Sequence, residues 1–67
     1  MHVMVEFLHP PSEETISKVS TCFSSNGWFV ARQVFSMEFM HYLFFESNSD
    51  DAVIPDLSGY DVKLRML

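Results

Sequence analysis

The chain has 67 residues, 48% of them hydrophobic and 15% aromatic, and nine acidic against four basic side chains give a formal net charge of −5. That length holds one small domain, residues 1–67, and excludes Rossmann sheets, barrels and two-domain enzymes, because so short a chain buries only about 60% of the surface it exposes when unfolded. Two glycines and three prolines among many aromatics exclude disorder. The acidic balance argues against nucleic acid and anionic membrane as partners, since both are held by clustered Lys and Arg.

Residues 1–8 alternate in the period of two that a pleated strand requires. Val3, Val5 and Phe7 fall on one side, and His2, Met4, Glu6 and Leu8 on the other. His9-Pro10-Pro11 ends this strand, because proline has no N–H for a ladder. Ser12 is placed to cap a helix, and Glu13 and Glu14 complement the positive end of its dipole. The helix is expected to run to about Ser25, with Ile16, Val19 and Phe23 on its apolar side and Cys22 on the flank. Asn26-Gly27 stops it. Its many Ser and Thr residues make the helix weak by propensity, so packing must hold it.

Trp28–Phe35 and Glu38–Glu46 read as a second and a third strand, rich in aromatic and β-branched residues and joined by a turn near Ser36-Met37. Residues 47–59 form a polar, turn-rich loop with an apolar island of Ala52, Val53, Ile54 and Leu57. Residues 60–67 alternate again. Tyr60, Val62, Leu64 and Met66 face one way and Asp61, Lys63 and Arg65 the other, with Glu6 placed to pair with Lys63 or Arg65. The order strand, helix, strand, strand, loop, strand predicts an α+β fold: a small four-stranded, mainly antiparallel sheet with one helix on one face. This is a ferredoxin-like split βαβ layout whose second helix is reduced or absent. The first and third strands are expected in its centre, because the third is apolar on both faces.

Little in the sequence points to catalysis or metal binding. His2 and His9 stand at opposite ends of one strand, about 23 Å apart by strand rise, and His41 lies alone on another. No Cys-x-x-Cys or His-x-x-x-His spacing occurs, so neither a metal nor a cofactor is expected. The serines have no glycine-framed turn of the nucleophile-elbow kind, and Asp50, Asp51 and Asp56 do not follow a calcium-loop spacing. An enzyme is therefore not expected. The lone Cys22 forms no intrachain disulfide, and the first residues lack a signal-peptide pattern; a soluble, cytoplasmic protein is the expectation.

The third strand carries the functional expectation. Phe39, His41, Leu43 and Phe45 line one face and Met40, Tyr42 and Phe44 the other, while one helix covers only one side of a sheet. The spare face predicts a protein-interaction module, expected to be homodimeric and to act as an inhibitor or adaptor, with Met4, Met40, Tyr42 and Phe44 as its interface. Asp50, Asp51 and Asp56 are the residues expected to meet a basic patch on another protein. A phage-type inhibitor of a nucleic-acid-handling complex is one instance that suits this size and charge. The alternative is single-stranded RNA bound by the sheet aromatics, as on RNA-recognition motifs, although the expected charge opposes it. If the apolar loop instead covers the spare face, that face is plain core.

Overall fold

The computed structural model describes residues 1–35 and 41–67. Strand β1 (His2–Phe7) is followed by helix α1 (Glu13–Ser24), β2 (Phe29–Phe35), β3 (His41–Glu46) and β4 (Val62–Met66). The strands form one sheet in the order β2-β3-β1-β4, and every neighbouring pair is antiparallel. β1 and β3 therefore hold the centre and β2 and β4 the edges. β1 and β2 run parallel to each other with β3 between them, and α1 makes the connection. The turn at Ser36-Met37 and the segment Glu38–Met40 of the expected third strand lie outside the described residues.

The helix ends follow from local chemistry. Ser12 Oγ accepts a hydrogen bond from the Thr15 N–H at 3.1 Å, satisfying a first-turn donor that has no partner within the helix. At the other end Gly27 has φ +88°, a left-handed conformation that a side chain would strain. The chain thereby doubles back, so that the Phe23 carbonyl accepts from the N–H groups of both Asn26, at 2.9 Å, and Trp28, at 3.1 Å. β2 starts at Phe29, one residue later than the pattern suggests, because Trp28 belongs to the core rather than to the ladder. Tyr60 is also outside its strand; its N–H donates to the Leu57 carbonyl in a turn, and β4 begins at Val62.

A single apolar layer fills the space between helix and sheet. Val3, Val5, Phe7, Leu43 and Phe45 rise from β1 and β3 to meet Val19 and Phe23 of the helix. The Phe23 ring stacks on Phe45 with centroids 4.0 Å apart and planes 6° from parallel, and Trp28 meets Phe23 edge-on at 5.8 Å and 80°. The long loop joins this inner layer. Leu57 is buried in it, and Trp28 Nε1 donates to the Val53 carbonyl at 2.9 Å. The apolar island is thus split, with Leu57 inside, Ala52 half-buried, and Val53 and Ile54 exposed. Helix α1 covers the central strands β1 and β3, so the helix-side residues at the two edges, Val30 of β2 and Leu64 and Met66 of β4, stay exposed.

Truncating the ring at the centre of this layer is expected to abolish folding. Phe→Ala changes in a core cost about 3–5 kcal/mol, about as much as a core of this size supplies in total. Phe23→Ala should show no cooperative thermal transition by circular dichroism. A sharp melt within a few degrees of the parent would contradict the central place given to Phe23.

Candidate functional site

The sheet face turned away from the helix carries a patterned set of side chains, because directly paired residues of antiparallel strands share a face. Arg32 is opposite Phe44, Phe44 opposite Met4, and Met4 opposite Arg65, making one row across all four strands. The neighbouring row is Val34, Tyr42, Glu6 and Lys63. In a third row His2 pairs with Glu46, and His2 Nδ1 lies 3.2 Å from Glu46 Oε1. The Tyr42 and Phe44 rings are 6.2 Å apart between centroids and tilted by 39°. Met4, Val34, Tyr42 and Phe44 are half-buried, and no other described helix or strand lies over them.

Of the expected interface residues, the structure brings Met4, Tyr42 and Phe44 together; Met40 lies outside the described residues. Which face of β3 meets the helix, undecided by an apolar pattern on both sides, is fixed by Leu43 and Phe45 being buried. The loop does not cover the outer face, since Leu57 and the Trp28–Val53 bond tie it to the inner layer. Asp50, Asp51 and Asp56 are exposed on that loop, where Asp56 Oδ1 accepts from the Ser58 N–H at 3.0 Å. They do not join the outer face.

The sequence pattern placed Lys63 and Arg65 beside Glu6 but did not reveal Arg32 on that face. Arg32, Lys63 and Arg65 are three of the chain's four basic residues, and all three stand on it. The alternation of β4 already grouped Lys63 with Arg65. Arg32 was hidden, because a strict period of two puts it on the same face as Val30. A bulge between Val30 and Arg32 inserts Ala31, so that Val30 pairs with Phe45 while Arg32 pairs with Phe44. Among the described residues the helical Lys18–Glu14 contact, at 2.9 Å, is an ion pair, and His2–Glu46 is one only when His2 is protonated. None of the three outer-face cations has a described carboxylate within ion-pair distance.

Elsewhere the chemistry is sparse. A depression of about 250 Å³ lies between Phe7, His9, Pro11, Tyr60 and Asp61 at the start of the helix. A second, of about 290 Å³, opens beside His2, Arg32, Phe44 and Glu46 on the outer face. Among the described residues no three His, Cys, Asp or Glu side chains converge as a metal site requires, and no helix is long and apolar enough to cross a membrane. His41 is half-buried on the helix-facing side of β3, and Cys22 is half-buried against the core. Compared with protein-family models, curated proteins and solved structures, the chain matches none.

One buried polar residue keeps the platform in register. Ser47 follows the last residue of β3, and its N–H donates to the Met1 carbonyl while its own carbonyl accepts from the N-terminal ammonium, both at 3.0 Å. Ser47 Oγ donates to the Gly27 carbonyl at 2.8 Å and accepts from the Ser49 N–H at 3.2 Å. Ser47→Ala removes the hydroxyl and leaves both backbone groups short of a partner. The expected loss is about 1–3 kcal/mol in urea unfolding, and an unchanged midpoint would show that water replaces the hydroxyl without cost.

Proposed function

We propose that this protein is a small non-enzymatic protein-interaction module, an inhibitor or adaptor, working through the outer face of its sheet. The supporting observation is the grouping of Met4, Val34, Tyr42 and Phe44 on the face that helix and loop leave open. Aromatic rings and Met at the centre with Arg and carboxylates around them are what protein interfaces favour. We read the scaffold as the ferredoxin-like split βαβ layout with its second helix replaced by the loop. The strand order supports this, with β1 and β3 central and the connection between β1 and β2 made by the helix.

The face has the area for either of two occupants: a second copy, giving a homodimer, or another protein. The Cα extents of 35 × 21 Å limit a sheet face to roughly 700 Å², close to the ~800 Å² each partner buries in a standard interface. A basic patch on a further partner would meet Asp50, Asp51 and Asp56 on the loop, and the lone Cys22 fits a reducing, cytoplasmic setting. Single-stranded nucleic acid is the second reading, favoured by Arg32, Lys63 and Arg65 beside two rings.

Tyr42→Asp tests the face assignment. The variant should keep its helix content and a cooperative melt, because Tyr42 is on the open side. If the parent scatters light as a particle of about twice 7.8 kDa, the variant should return to the monomer mass. A Tyr42→Asp chain that unfolds would make the ring part of the core and overturn the reading.

A further inference from the structure

We infer that the outer face takes an acidic segment of a different protein, one whose apolar side chains seat on Met4, Tyr42 and Phe44 while its carboxylates meet Arg32 and Arg65. This rests on the reading of that face as an interface and names its partner by charge.

Charge is unevenly distributed over the molecule. The chain carries −5 overall, yet three of its four cations share one sheet face. The helix carries Glu13 and Glu14, and the loops carry Asp50, Asp51, Asp56 and Asp61. On the outer face the described carboxylates are Glu6 and Glu46. Glu46 is bridged to His2, and Glu6 stands opposite Lys63 in register. Arg32 and Arg65 therefore close the two ends of a row in which the residues between them, Phe44 and Met4, are apolar. Three inter-strand spacings separate them, about 14 Å between backbones. Guanidinium groups bind carboxylates through two parallel hydrogen bonds, so such a row presents two carboxylate clamps around an apolar seat.

A second copy fits this pattern poorly. In an aligned face-to-face stack related by a two-fold axis, edge strands lie over edge strands and central strands over central strands. The cations are on the edge strands β2 and β4 and the carboxylates on the central strands β1 and β3. Because Arg32 and Arg65 end the same row, a stack centred on that row would lay arginine over arginine at both edges. Nucleic acid fits less well than an acidic protein segment, because Glu6 sits mid-platform where phosphate would pass, and β1 offers Met4 where a stacking ring is needed. The bulge is what puts Arg32 on this face, since a regular ladder with Ala31 paired to Phe44 would turn Arg32 to the other side.

The test uses a short labelled peptide with a central Phe-Leu pair flanked on both sides by Asp and Glu, its Asn/Gln counterpart, and an oligothymidylate of equal length. Binding is read by fluorescence anisotropy at low and moderate salt, with light scattering at the same protein concentration. The acidic peptide should bind a monomeric chain. The Asn/Gln peptide, and the Arg32→Ala/Arg65→Ala variant with the acidic peptide, should each bind at least about tenfold more weakly. Tighter binding of the oligothymidylate than of the peptide would overturn the inference in favour of a nucleic-acid platform, and a stable dimer would overturn it in favour of a second copy. No acidic-peptide binding, or binding indifferent to the two arginines, also overturns it. In the last case, loss of binding in Tyr42→Asp would leave the interface reading standing while the acidic partner falls.

Discussion

The stack of Phe23 on Phe45 sets how the helix lies over the sheet, and the rest of the molecule is arranged around it. A four-stranded sheet is wider than one helix, so a chain with a single helix cannot bury everything its strands expose. The side nearest the helix is filled by Val19, Phe23, Trp28 and Leu57. Leu64 and Met66, on the same side but at the β4 edge, remain exposed. The loop between β3 and β4 adds to this layer only in part. It supplies Leu57 and a carbonyl for Trp28, while Val53 and Ile54 stay outside. With no disulfide bond, the fold depends on this thin layer and on buried polar contacts such as those of Ser47. Burial of a large apolar side chain contributes about 1.5–3 kcal/mol, so each of these residues is a substantial part of a small total.

The limitation that leaves the inner layer thin also leaves the outer face free for binding. Its two central strands supply Met4, Tyr42 and Phe44, and its edge strands supply Arg32, Lys63 and Arg65. The charged residues serve the fold as well. An open edge strand invites pairing with another chain, and a bulge on β2 together with Lys63 and Arg65 on β4 blunts both edges. The result is a two-sided molecule, with acids on the helix and loop and cations around an apolar centre on the sheet.

Much of the fold could be read from the chain. The period of two in residues 1–8 and 60–67 anticipated β1 and β4, and Ser12 and Gly27 marked the helix ends within a residue or two. Residues with two partners of similar strength were harder to place. Trp28 fits a strand by propensity but gains more by packing its ring on Phe23 and donating to Val53. β3 is apolar on both sides, so its orientation is set by tertiary contacts rather than by its own pattern. The Arg32 position needed knowledge of the bulge, which depends on the pairing of β2 with β3 and leaves no local mark in Val30-Ala31-Arg32. The role of Ser47 was equally hidden, since one serine in a polar stretch gives no sign of being buried.

Two adjacent residues of β3 divide the buried face of the sheet from the open one, and one comparison tests that division directly. Leu43 is fully buried against the helix, whereas Phe44 is half-buried on the open face. Thermal unfolding of Leu43→Asp and Phe44→Asp should separate them sharply. Leu43→Asp places a carboxylate in the core and is expected to leave no folded protein, while Phe44→Asp should melt cooperatively with its helix signal intact. Loss of folding in Phe44→Asp with survival of Leu43→Asp would contradict the account, because the face assigned to partners would then be the one that holds the molecule together.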